Sequence, residues 1–480
     1  MHRYMKFAFL PIILLASMGS SSWNPELWLA DLAQIRTSID RDYPNRDWLV
    51  SEREVSLDQW YNRTADALRN SNSDADARRA FDALIARFND GHVSLQWPEP
   101  SGGGDQSTEP QRITTPSQFC AARGYNAGQV TAGTASALLG YRPIRSDGPF
   151  KTGVVPVSGA TLGVLRIGVF SPQGYPSLCE RAVEAARIQV SQPCDAGCED
   201  RILTDVYAMM TRELMAALDE LRAANATTLL VDVTRNGGGT EWAEAAARIV
   251  SPVPLRSAPI SVVRSERWVQ NWRDLGARLR QLSRTASRAD RALLQDYARR
   301  ADVLANGLRP CPTSHCPRLA SAGFATGLVD TMPAGTLTGR DWAAEVFSPA
   351  QYPYRDSVWS APVVVLVDGE TWSAAEQFAA ALRDNDAVII LGARTGGAGC
   401  GHLYGSNPIT LTNSGAMLEL PNCARFRRDG SNEVGGIVPD VMTGARANDG
   451  AAFAARLTSS KLPEAMAMAR ATALAHLAVR

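Results

Sequence analysis

Ser373 stands where a strand hands over to a helix. Val363 to Val367 form an apolar, β-branched run that breaks at Asp368-Gly369, and the helical pattern AAEQFAAALRD begins at Ala374. A hydroxyl at that junction stands over the first helical turn, whose free N–H groups and positive dipole end stabilise an oxyanion. Serine is equally a preferred N-cap, so this stretch alone reads as either a nucleophile or a cap. The same device occurs earlier in the chain. The strand TTLLVDVT ends in Arg235-Asn236-Gly237-Gly238-Gly239 and feeds the helix EWAEAAARIV.

A serine nucleophile needs a base, and the base usually needs an orienting acid. Lysine occurs only at Lys6, Lys151 and Lys461, in the leader, before the first core strand and in the tail, which argues against a Ser–Lys pair. Of the histidines, His476 belongs to the last helix and His315 lies between two cysteines. His92 and His402 fall in turns beside strands, where catalytic groups collect, although a single turn histidine is often only a surface residue.

These residues must be carried by a folded frame. Trp28, Leu32, Ile35 and Ile39 recur at helical spacing before Tyr43-Pro44; Trp60, Ala65 and Leu68 mark a second helix, and Phe81, Leu84, Ile85 and Phe88 a third. That helical domain (23–97) ends in the turn Asn89-Asp90-Gly91-His92 and the strand VSLQW. Residues 98–159, rich in Gly, Ser, Thr and Pro, read as a linker or an irregular strand-and-loop segment. From 160 to 445 strands alternate with helices, which argues for an α/β core. An Arg-rich helical insertion at about 255–345 reads as a solvated helix face. An Ala-rich C-terminal helix (446–480) closes the chain.

The first 22 residues carry His2, Arg3 and Lys6, an apolar stretch from Phe7 to Ala16, and small residues through Ser22, the pattern of a secretory signal peptide. About 20 apolar residues would be needed to span a bilayer, and this run is shorter and broken by Pro11. The eight cysteines form an even set that suits an oxidising, periplasmic or secreted location. Cys194/Cys198 and Cys311/Cys316 suggest local disulfide staples; a zinc site would need further soft ligands. With 45% apolar and 20% charged residues and zero formal net charge, nothing in the 480-residue chain points to nucleic acid.

Four motifs in order, NDGHVSL, VDVTRNGGG, VDGETWSAAE and NEVGGIVPD, together resemble the tail-specific (C-terminal processing) serine peptidase family, and within it the tricorn-core type without a PDZ domain. The resemblance covers about residues 26 to 443. It implies a ClpP/crotonase-like α/β spiral core with an N-terminal helical bundle, a peptide or protein substrate, and no metal or organic cofactor. Carried over residue by residue, Ser373 matches the nucleophile, His92 the general base and Glu433 the acid that orients it. Gly237 or Gly238, with the N–H of Ala374, matches the oxyanion hole.

The chain also departs from the family pattern. Ala398 stands where the processing branch places a lysine, Gly91 where the tricorn core has a serine, and Thr234 where arginine is usual. No PDZ pattern fills the segment before the core. A non-catalytic ligand-binding module on the same fold is the alternative, and an esterase fits less well because the serine turn is not Gly-x-Ser-x-Gly.

Overall fold

The computed structural model describes residues 23–99, 113–311, 316–446 and 448–479. The expected signal segment, part of the expected linker and His315 lie outside the described residues. Four helices come first: α1 (Pro25–Asp42), α2 (Arg46–Ser51), α3 (Leu57–Arg69) and α4 (Asp74–Ala86). Asn24, Ser56 and Ser73 cap α1, α3 and α4, each accepting a backbone N–H from the first turn. Their apolar stripes close on one another through Ile35, Ile39, Tyr43, Leu68, Phe81 and Phe88.

The chain then forms β1 (Ser94–Gln96), α5 (Pro116–Ala121), β2 (Arg142–Arg145), β3 (Lys151–Val157) and β4 (Ala160–Arg166). The segment expected to be a linker or irregular strands and loops holds, among its described residues, the helix α5 and the paired strands β2 and β3. Pro143, Gly153 and Pro156 interrupt the alternation that would have announced those strands. Helices α6 (Pro176–Ala185) and α7 (Ala196–Ala223) follow, and a disulfide from Cys120 to Cys179 ties α5 to α6.

Next come β5 (Thr228–Asp232) and α8 (Trp242–Val250). The insertion is β6 (Pro259–Val263), α9 (Glu266–Ser283), α10 (Arg288–Gly307) and β7 (Leu319–Phe324), then the short α11 (Ala343–Val346). Trp268, Trp272, Leu279, Leu294 and Tyr297 give α9 and α10 a core of their own. Their arginines pair at the surface, as Arg299 and Arg300 do with Asp296, so the basic run is a solvated face.

The chain ends with β8 (Val363–Val367), α12 (Ala374–Asp384), β9 (Ile389–Gly392), β10 (Ile409–Thr410), β11 (Met417–Glu419), β12 (Ala424–Arg425), β13 (Val441–Met442) and α13 (Ala451–Val479).

Seven strands make the central sheet in the order β13-β9-β8-β5-β4-β3-β2. β13, β9, β8, β5 and β4 run parallel, while β3 and β2 turn back antiparallel. Every residue of β5, β8 and β9 is buried, because helices cover both faces. Leu229, Val231, Val363 and Val365 pack with α7, α8 and α12 on one face. On the other, Leu230, Val364, Leu366 and Leu391 meet Leu462 and Met466 of α13. The remaining disulfides join Cys194 to Cys198, Cys311 to Cys316 and Cys400 to Cys423.

Candidate active site

Because β5 and β8 are parallel neighbours, with Asp232 opposite Leu366, the turns after them emerge side by side. Three contacts stitch those turns together. Trp372 N–H donates to the Asn236 carbonyl at 2.9 Å, the Thr371 hydroxyl to the Val233 carbonyl at 3.0 Å, and Arg235 N–H to Asp368 Oδ1 at 2.9 Å. The result seats Gly238 directly against Ser373. A Cβ at Gly238 would lie 2.8 Å from Ser373 Cβ and 2.9 Å from the Trp372 carbonyl oxygen, and its φ of +106° also calls for glycine.

Ser373 itself has φ +53°, a left-handed conformation rare for a residue other than glycine. This turns the hydroxyl toward His92, whose Nε2 lies 3.1 Å from Ser373 Oγ. Two groups separated by most of the chain thus meet within hydrogen-bond reach. His92 arrives from the helical domain, on the turn between α4 and β1, and β1 is held by antiparallel pairing with β11. Its other ring nitrogen, Nδ1, is 2.9 Å from the carbonyl oxygen of Ala398. That bond places the proton on Nδ1 and leaves Nε2 free to accept.

The expected acid sits elsewhere. Glu433 is buried, and both its oxygens are bound by Arg425, at 2.5 Å to Nε and 2.6 Å to Nη2. Arg425 also donates to the Gly399 carbonyl, at 3.3 Å. Glu433 therefore reaches the 397–399 loop through an arginine rather than touching the imidazole, because the buried guanidinium needs a carboxylate partner of its own. The carboxylate nearest His92 Nδ1 in the ion-pair geometry is Asp90, at 3.8 Å.

A second buried carboxylate organises the same loop. Glu376 accepts the backbone N–H of Ser373 at 3.0 Å, of Gly397 at 2.8 Å and of Ala398 at 2.8 Å, together with the Thr395 hydroxyl at 2.5 Å. Burial, reinforced by the charge of Glu433, pushes its carboxyl up to about 7 despite these donors. Glu376 is the third residue after Ser373, and the two have the reciprocal arrangement of a capping box, with the carboxylate on the Ser373 N–H and the Ser373 side chain over the Glu376 N–H. The same Ser373 Oγ also lies within reach of His92 Nε2.

Of the glycines expected to supply an oxyanion donor, Gly238 has its N–H taken by Asn236 Oδ1 at 2.9 Å. A Cβ at Gly237 would meet nothing within 4 Å, so that residue faces open space. Gly239 and Ala374 both line the cleft beside Ser373, and among the described residues neither N–H has a partner. The cleft, about 620 Å³, is walled by the insertion (Ile260, Gly327, Glu345) and the Cys400–Cys423 loop. His402 stands edge-on to His92, ring centroids 5.8 Å apart, with Nε2 3.5 Å from Glu419. Burial lowers its basicity, partly offset by Glu419.

Chemically, the arrangement offers a hydroxyl in contact with an imidazole acceptor and unpaired N–H groups across a cleft, the parts acyl transfer requires. Of the residues expected from sequence, Ser373, His92 and Ala374 come together at one cleft, and Asp90, Glu376, Gly239 and the Ala398 carbonyl stand beside them without having been expected. The Ser-x-x-Glu spacing and the Asn-Asp-Gly turn were available signals for Glu376 and Asp90; a main-chain carbonyl leaves none.

The profile of peptidase family S41 matches residues 203–443, half of the chain. The chain belongs to that family. It is a serine-type, tail-specific S41 peptidase with the α/β core and helical N-terminal region the resemblance implied. No curated protein matches it in sequence. Among solved structures, mature CPAF superposes with a TM-score of 0.60 at 16% identity, covering 92% of this chain and 96% of the other. CPAF complexed with lactacystin gives 0.60 at 15%, covering 94% and 98%. The photosystem II D1 C-terminal processing protease covers 93% and 99% at 14% identity with a TM-score of 0.34. At these identities the CPAF likeness bears on the S41 fold alone.

Proposed function

We propose that this S41 peptidase is exported and cleaves peptide bonds with Ser373 as nucleophile and His92 as general base. His92 Nε2 takes the hydroxyl proton as Oγ attacks the scissile carbonyl carbon. The N–H groups of Ala374 and of the Gly237–Gly239 turn, with Gly239 the best placed, hold the oxyanion. Collapse of the tetrahedral adduct breaks the C–N bond, and the imidazolium returns its proton to the departing amine. Water, deprotonated by His92, then hydrolyses the acyl-enzyme. Glu433 serves at one remove, by fixing Arg425 and through it the loop that carries Ala398.

The observation that carries this reading is the 3.1 Å approach of His92 Nε2 to Ser373 Oγ, made by a serine at φ +53°. Ser373 is also the N-cap of α12, but capping calls for neither the positive φ nor the histidine partner. Export is supported by four disulfides and the sequence of the first 22 residues. Among the described residues no helix is long and apolar enough to cross a membrane.

The test is labelling with a serine-directed fluorophosphonate, read by intact mass. In that reaction Ser373 Oγ bonds to phosphorus, fluoride leaves and His92 takes the proton. Wild type should acquire one adduct, Ser373→Ala none, and His92→Ala should label slower by about 10²- to 10⁴-fold. Folded wild type that never labels would favour the non-catalytic binding module.

A further inference from the structure

We propose that Asp90, rather than Glu433, is the carboxylate that stabilises the His92 imidazolium formed during catalysis, making it a positioning and charge-bearing residue of this site. The proposal rests on His92 being the base. Four observations lead to it.

The first is distance: Asp90 Oδ1 lies 3.8 Å from His92 Nδ1 and also accepts the His92 backbone N–H at 3.0 Å. One oxygen thereby fixes both the turn that carries the histidine and the charge beside its ring. The second is the set of groups holding Asp90. Its other oxygen accepts the Tyr43 hydroxyl at 3.0 Å and Asn45 Nδ2 at 3.2 Å. These donors are neutral, and among the described residues no arginine or lysine pairs with Asp90. Its negative charge is therefore not cancelled locally, and the side chain is fully buried, where water screens it little.

The third observation concerns the rival. Both oxygens of Glu433 are spent on Arg425, so that pair presents nearly zero net charge to the imidazole. Fourth, the Ala398 carbonyl already sets the tautomer of His92, which is half of what an orienting acid ordinarily does. What remains is compensation of the developing positive charge, and Asp90 is the group positioned to supply it. Burial holds the Asp90 carboxyl above the usual carboxylate range, and the His92 N–H, the nearby imidazole, Tyr43 and Asn45 offset this only in part.

The other groups around the imidazole are identified by position. His402 stands edge-on with Glu419 behind it, Ser373 lies at Nε2, and Glu376 and the Arg425–Glu433 pair lie behind the 397–399 loop. The link to Asp90 extends further. Asn45 Oδ1 accepts Asn432 Nδ2 at 2.8 Å, so the residue before Glu433 braces Asp90 through a satisfied buried network.

The experiment is the pH dependence of fluorophosphonate labelling in full-length wild type, His92→Ala, Asp90→Asn and Asp90→Ser. Asn and Ser both keep an acceptor for the His92 N–H, as in Asx and ST turns, while removing the charge. The expected result is labelling slowed about tenfold or more, with the acid limb of the rate–pH profile moved to lower pH by at least about half a unit. A turn-holding role would slow the reaction without moving that limb.

If the limb stays in place in folded Asp90→Asn and Asp90→Ser, the proposal falls whatever the rate. If neither variant folds, Asp90 belongs to the architecture and the proposal also falls. If His92→Ala labels as fast as wild type, the base assignment itself fails, and that outcome is distinct from either of the others.

Discussion

The carboxylate of Glu376 draws together the backbone N–H of Ser373 and the loop that presents the Ala398 carbonyl to His92. Its carboxyl is pushed up to about 7 by burial and by Glu433, so its ionisation bears on stability in a definite direction. A carboxyl raised in the folded state adds stability that is fully present below its unfolded value. That stability is lost as pH climbs through the folded one. Between pH 5 and 8 this residue should therefore cost the fold roughly 2–3 kcal/mol. Urea unfolding of wild type and Glu376→Gln at both pH values isolates the contribution: the free-energy gap between them should shift by that amount against wild type. A gap that does not change with pH would mean that the donors around Glu376 outweigh its burial. The glutamine variant should also label more slowly at Ser373, because an amide NH₂ would face N–H donors where an acceptor is needed.

At the scale of elements, the two strand-to-helix turns depend on each other, and Gly238 is where they touch. Gly238→Ala places a methyl 2.8 Å from Ser373 Cβ at a φ of +106°, so it should cost roughly 1–3 kcal/mol and reduce labelling at least about 10²-fold by displacing Ser373. Gly237→Ala meets nothing within 4 Å and should label within about threefold of wild type. Equal effects in the two variants would separate the turn packing from the chemistry. This pairing of turns was legible in sequence because two buried β-branched runs each end in a punctuated junction, and buried parallel strands need no alternation to be recognised. β2 and β3 were not legible, since prolines and Gly153 break their pattern. Within the candidate site, the meeting of Ser373 and His92 was expected from residue type and position. Glu433 was expected to orient His92, and its contact with Arg425 was not legible, because nothing in sequence shows which buried guanidinium a carboxylate will meet. That Gly238 N–H is taken by Asn236 while Gly239 lines the cleft was not legible, as a run of three glycines does not reveal which N–H its neighbours consume.

At the scale of the whole molecule, the proposed base and nucleophile are carried by different parts of the chain, and on that proposal activity should depend on how the helical domain docks on the core. The join is specific. Asp31 of α1 is buried and accepts the backbone N–H of Asn413 at 2.9 Å, Asn413 Nδ2 at 2.8 Å and the backbone N–H of Ser414 at 2.8 Å. Those residues form the tip of the β10–β11 hairpin, and β11 is the strand that pairs with β1 just after His92. Leu411, Ala416 and Leu418 of the same hairpin bury their side chains in the helical core. One hairpin thus couples the placement of α1 to the placement of the imidazole. Asp31→Ala strips three donors of their acceptor in a buried setting and should destabilise the protein by roughly 2–4 kcal/mol. Because His92 must sit within hydrogen-bond reach of Ser373, loosened docking should also slow labelling on the order of tenfold in protein that is still folded. Denaturant unfolding reads the first effect and the labelling rate the second. Loss of stability with an unchanged rate would mean that β1–β11 pairing alone holds His92 in place, and that the helical domain serves only to cover the core.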